Sequence, residues 1–190
     1  MRPKTILRLF VAAIFGMFVA ASAAPQQSQA ATDDAQLITS AMSAAPAPVA
    51  QGATIVAMSA DGTMRVLRQG SNGFTCIPDD VTTPGNDPMC MDTNAMEWAK
   101  AWMTHAAPPD KVGFMYMLAG GSDASNTDPY AKSPSPGNHW VSTGPHVMIV
   151  GPGAALMAGY PTSPDPDVTK PYVMWAGTPY AHLMIPIQMK

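Results

Sequence analysis

The chain has 190 residues, 47% of them hydrophobic and 12% charged, with a formal net charge of −3. Ten Lys and Arg against thirteen acids leave no positive excess, which argues against nucleic acid and against anionic membrane surfaces as partners. Twelve of the thirteen acids are Asp, a turn and cap former, so most of the carboxylates are expected in loops.

Arg2, Lys4 and Arg8 precede an uncharged apolar run over residues 9–21. Such a run has the length of a secretory h-region and is short for a bilayer span. Ala21-Ser22-Ala23 fits an A-x-A cleavage site, with Ser28-Gln29-Ala30 as an alternative. Residues 1–23 are therefore expected to be a cleaved signal peptide, leaving no transmembrane anchor and sending the chain to the periplasm or outside the cell. No Cys near the junction points to lipidation. Removing residues 1–23 takes three positive charges and moves the net charge to −6.

Residues 24–50 are rich in Ala, Gln, Ser and Pro and read as a flexible, partly polyproline-like tether, with a weak helix around 34–42. A single domain is expected over 51–190. Apolar runs at 53–58 and 63–67 flank Asp61-Gly62, a strong hairpin signal because Gly tolerates positive φ in a type I′ turn. A third strand at 74–77 completes an expected meander. Cys76 and Cys90, an even pair in an exported chain, predict a disulfide worth roughly 3 kcal/mol through loop closure. The turn formers at 78–90 read as a loop.

Asp92, Thr93 and Asn94 are candidate N-caps, and Asn94 with Glu97 has capping-box spacing. Ala95, Met96, Trp98, Ala99, Trp102 and Met103 recur at helical spacing, so one principal helix ends before Pro108-Pro109. The run 112–118 is apolar on both faces, as a central strand requires. Residues 119–145 form a long connection dense in Gly, Ser, Asn, Asp and Pro; connections of that length inside a domain are usually functional or disordered, and Tyr130 and Trp140 favour an ordered loop. Further strands are expected at 146–150, 172–175 and 182–187, and a helical turn around 154–158. The whole reads as α+β: a mainly antiparallel sheet of six or seven strands, one principal helix, long ordered loops and one disulfide.

The words Asn72-Gly73-Phe74-Thr75-Cys76, Pro88-Met89-Cys90, Gly120-Gly121-Ser122-Asp123-Ala124-Ser125-Asn126-Thr127-Asp128-Pro129-Tyr130, Gly144-Pro145-His146-Val147-Met148 and Gly177-Thr178-Pro179-Tyr180-Ala181-His182-Leu183-Met184 resemble those of a family of uncharacterised exported bacterial proteins. The resemblance covers roughly residues 50–187 and implies no known activity, cofactor or substrate.

Chemistry must be read from the side chains. Three of the four histidines have a Met two residues away: Met103/His105, His146/Met148 and His182/Met184. In a strand, residues two apart leave on one face. Imidazole with thioether in an oxidising compartment suits copper, above all Cu(I), so His146, Met148, His182 and Met184 are candidate metal ligands, provided their strands are neighbours. The competing reading is a core in which Met only fills space. The oxygen-rich stretch 123–128 lacks EF-hand spacing and reads as loop-shaping turns. Trp140, Tyr160, Trp175 and Tyr180, in or beside loops, are candidates for lining a small-molecule pocket with His146 or His182 at its mouth, together with Asp123 and Asp128. A non-enzymatic exported domain that binds copper or a small ligand is the leading expectation. The alternatives are a small hydrolase using Ser122 or Ser125, Asp123 or Asp128, and His146 or His182, and an envelope interaction module with no site.

Overall fold

The computed structural model of the chain describes residues 24–59, 63–121, 123–152 and 157–188. The expected leader, the Asp61-Gly62 turn, Ser122 and most of the turn expected around 154–158 lie outside them. Among the described residues, ten strands and three helices follow in the order α1 (Ala24–Ser43), α2 (Ala47–Gly52), β1 (Thr54–Met58), β2 (Met64–Arg68), β3 (Phe74–Ile77), β4 (Met89–Asp92), α3 (Thr93–Met103), β5 (Gly113–Met117), β6 (Asp123–Ser125), β7 (Trp140–Ser142), β8 (His146–Val150), β9 (Tyr172–Met174) and β10 (His182–Pro186). Eight strands form one sheet in the order β2-β1-β3-β4-β5-β8-β10-β9, and β6 pairs with β7 separately. The fold is α+β and mainly antiparallel, with somewhat more strands than the six or seven expected.

The differences have local causes. β3 joins β1 in parallel, on the side away from β2, so the expected meander is not formed and β2 becomes an edge. β4 lies where only a loop was expected. It is four residues long and carries two Met, a weak strand signal, yet it bridges β3 and β5. It also sets Cys90 directly across from Cys76, and the two form the expected disulfide.

The expected tether over 24–50 is corrected most clearly. Its residues form α1 and α2, and Ala41, Ala44, Ala45 and Ala50 are buried with Ala53, Ile55, Cys76 and Cys90 in one apolar cluster. Ala is the best helix former, and its small side chain lets a helix lie close on the sheet. Pro46 precedes the first turn of α2, where a missing N–H costs nothing. The Leu118 N–H donates to the Ala44 carbonyl, and Arg65 pairs with Asp34 across the surface.

α3 packs on the opposite face. Its N-cap is Asp92, whose side chain accepts from the Ala95 N–H at 2.8 Å. The Asn94/Glu97 capping box is not made: Asn94 donates to the Val112 carbonyl and Glu97 pairs with Lys111. Gly113 brings β5 against the helix, since a Cβ there would lie 2.4 Å from the Ala95 nitrogen. The sheet is thus covered by α1 and α2 on one side, and by α3 with the long loops on the other.

Because α1 is part of the core, Ala41→Leu should overpack it and lower stability by roughly 1–3 kcal/mol in urea unfolding. A flexible tether would register no change.

Candidate functional site

The face of the sheet under α3 is built from one register. Met91 lies across from Met115, Met115 from Met148, Met148 from Met184, and Met184 from Tyr172. Four thioethers on four adjacent strands therefore form a continuous row. Directly opposite residues share a face, as do residues two apart on a strand. Met89, Met117 and His146 consequently join this face at one end of the row, and His182 and Met174 at the other.

The strands of His146 and His182 are neighbours, the condition on which the metal expectation depended. Met148 and Met184 stand side by side. The two histidines do not. His146 is opposite Pro186 and His182 opposite Met174, so they flank the Met pair in opposite directions. Their strand positions differ by four residues, roughly 13 Å at about 3.3 Å per residue. Each ring is also tied outward: His146 Nδ1 donates to the Gly144 carbonyl at 2.7 Å and His182 Nδ1 to the Tyr180 carbonyl at 3.0 Å. The neutral rings therefore keep their lone pairs on Nε2. Among the described residues, the buried His146 Nε2 has no hydrogen-bond partner, and neither has the buried Trp98 Nε1. Among the described residues, no group of three or more His, Cys, Asp or Glu is placed to hold a metal ion.

Between this face and the loops lies a cavity of about 430 Å³. Its floor and walls include Met89, Met115, Met117, Met148, Met174 and His182, with Trp98 and Trp102 from α3. Trp140 and Trp175 complete a lining that contains all four tryptophans of the chain. The rings brace one another: Trp98 stacks on Trp175 with centroids 6.2 Å apart, and the His182 ring stands edge-on to Trp175 at 4.8 Å and to Trp98 at 5.4 Å. Polar groups complete the lining: Thr82, Thr83 and Asp87 from one loop, Asp123 from β6, and Asp128 and Lys132 from the loop after it.

Of the expected pocket residues, Trp140, Trp175, Asp123 and Asp128 line the cavity, and Tyr160 and Tyr180 do not. The Tyr180 hydroxyl donates to the Ala106 carbonyl, and its ring meets Trp98 edge-on, so it supports the wall from behind. Of the expected metal ligands, Met148 and His182 line the cavity, while His146 and Met184 lie outside it. The sequence marks Trp98 and Trp102 only as a buried helix face, places Met89 in a stretch expected to be a loop, and gives Met115, Met117 and Met174 only as strand residues. Their signal was present as Met-x-Met at 89–91 and 115–117, which with His-x-Met at 146–148 and 182–184 repeats one alternation on four strands.

The loop wall is held by named bonds. Ser125 Oγ donates to the Asn138 carbonyl and accepts from the backbone N–H groups of Thr127 and Asp128. Trp102 Nε1 donates to the Pro129 carbonyl, Trp175 Nε1 to the Ser125 carbonyl, and Asn126 Nδ2 to the Ser163 and Pro164 carbonyls. Ser125 therefore shapes the loop, and neither His146 nor His182 hydrogen-bonds a carboxylate among the described residues. The histidine that does is His139, whose Nδ1 lies 2.9 Å from Asp165 Oδ1. No protein-family model, curated protein or solved structure matches the chain. No helix among the described residues is long and apolar enough to cross a membrane.

Burial governs the electrostatics. It pushes the His182 imidazole down to about 4, against the opposing effect of the Tyr180 carbonyl, and the His146 imidazole beyond the Met pair adds a smaller depression. His146 is lowered by burial as well. Burial pushes the Asp87 carboxyl up. The unfolded chain takes up a proton on His182 near pH 6.5 and the folded chain only near 4. Its contribution is complete above pH 6.5 and is lost as the pH falls toward 4. Urea unfolding at pH 7 and pH 4.5 should show this as an acid-side loss on the order of 3 kcal/mol that His182→Gln largely removes.

Proposed function

We propose that this is an exported, non-enzymatic binding domain that holds a small, largely apolar molecule in the cavity beneath α3. The observation that carries this reading is the convergence of all four tryptophans and five methionines on one space of about 430 Å³. That volume lies in the usual range for small-molecule sites, which are mostly apolar with a few placed polar groups. His182 supplies one such group at the floor, as a neutral acceptor. The disulfide and the sequence pattern over residues 1–23 support action in the periplasm or outside the cell. A hydrolase finds less support, because Ser125 is committed to its loop and neither buried His is oriented by a carboxylate.

The test is calorimetric titration of the purified mature protein with a neutral aromatic probe, 1-naphthylmethanol. Saturable one-to-one binding is expected. Ala124→Trp, which fills the cavity from its wall, should weaken binding by about tenfold or more while thermal unfolding stays cooperative. Absence of saturable binding, or full affinity in the filled variant, overturns the reading.

A second reading, Cu(I) at the His146 end of the face, is favoured by one observation. His146 Nε2 is buried with its lone pair unpartnered, and its other nitrogen is held by a backbone carbonyl, as in many metal-bound histidines. Met148 is two residues along the same strand face, and thioether with imidazole suits Cu(I). The mature protein is expected to withdraw one Cu(I) from a chromophoric chelator, and His146→Ala should abolish this. No withdrawal removes the copper reading.

A further inference from the structure

We infer that the cavity's ligand is a hydrophobic organic cation: an apolar body carrying one ammonium or quaternary ammonium group. This rests on the binding reading above and names the chemical class it selects.

Among the described residues, the lining contains three carboxylate residues, Asp87, Asp123 and Asp128, against a single cation, Lys132. Two of the three carboxylates are already engaged by the protein. Asp87 accepts from the Asp80 N–H and the Thr83 hydroxyl, and Asp128 accepts from the Tyr130 N–H. Asp123 is different. It is half-buried, its backbone is fixed in β6 against β7, and its carboxylate has no hydrogen-bond or ion-pair partner among the described residues. A half-buried carboxylate without a partner favours a positive ligand group beside it.

The remaining walls agree. Indole is the aromatic ring that best attracts cations, and its contribution grows when the site excludes water. Methionine walls adapt to irregular apolar shapes. His182, the polar group at the floor, is 2% exposed and neutral at pH 7, so it does not repel a cation. Its Nδ1–H is committed to Tyr180, which leaves Nε2 as an acceptor for a ligand N–H or O–H. The chain beyond residue 23 carries a formal charge of −6, which steers cations toward the protein and anions away.

Three probes that share a naphthalene body test the inference by calorimetry on the mature protein: 1-naphthylmethyl-trimethylammonium, 1-naphthylmethanol and 1-naphthylacetate. The cation should bind about tenfold tighter than the neutral alcohol at low salt, and the acetate more weakly than either. Raising the salt should narrow the gap. Asp123→Asn should narrow the gap between the cation and the alcohol severalfold, leaving the share that the indoles supply. Equal affinity of cation and alcohol in the wild type, or an anion preference, overturns the cation class while leaving the cavity reading standing. A gap unchanged in Asp123→Asn overturns the role given to this carboxylate. Failure of all three probes overturns the cavity reading itself.

Discussion

The register of β8 between β5 and β10 is the constraint on which the rest depends. It sets Met115, Met148 and Met184 in line, and it carries His146 and His182 to opposite sides of that line. A slip of one residue would exchange the two faces of β8. Val147 and Ile149 would then meet α3, and His146 and Met148 would turn to the opposite face. The apolar cluster under α3 resists that exchange, because it gathers Met91, Met115, Met148, Met174 and Met184 with Trp98 and Trp175. Packing on one face thus fixes hydrogen bonding along three strands, and the hydrogen bonding in turn fixes where the cavity lies.

A cavity of this size in a tightly packed domain needs walls that do not collapse. Protein interiors are close-packed, and thioether side chains alone tend to fill space. Here the rigid elements are the indoles. Trp102 is tied by its ring N–H to the Pro129 carbonyl and Trp175 to the Ser125 carbonyl at the end of β6, and Trp98 is wedged between Trp175, Tyr180 and His182. Trp175 takes a positive φ of 56°, an uncommon backbone for such a residue, and its N–H donates to the Asn126 carbonyl. The strand β9 ends there, and the chain turns so that the indole points back over the sheet face. The disulfide works from the other side: it joins β3 to β4 at the root of the loop that supplies Thr82, Thr83 and Asp87 to the lining.

Much of this was legible in the residues, for identifiable reasons. The long strands carry their signal within themselves: β1, β5, β8 and β10 are short apolar runs fenced by Gly, Pro or Asp. The helix α3 announces itself by apolar spacing and by Asp92. Other elements were hidden because their stability comes from contacts distant in sequence. The Ala-rich stretch that forms α1 and α2 looks like a tether because Ala, Gln and Ser bury little on their own; it becomes core only when Ile55, Cys76 and Cys90 offer a flat apolar face. β4 is four residues with Met at two of them, and it exists because both neighbours lend it hydrogen bonds. Tyr180 and Trp140 were equally plausible pocket residues by type, yet one is behind the wall and the other in it, which depends on where the 119–145 loop closes.

The sequence by itself determined the disulfide, the class of fold and the alternation that puts His and Met on one face of their strands. These are local properties: each follows from residues within one element or from the spacing of a single pair. Only the tertiary structure decided which strands are neighbours, that the two histidines diverge from the Met pair instead of converging on it, and that four tryptophans scattered over 78 positions of the chain, from Trp98 to Trp175, meet around one space. Strand order is set by the sum of many weak packing preferences across the whole sheet. No single stretch of the chain carries enough of that sum to reveal it.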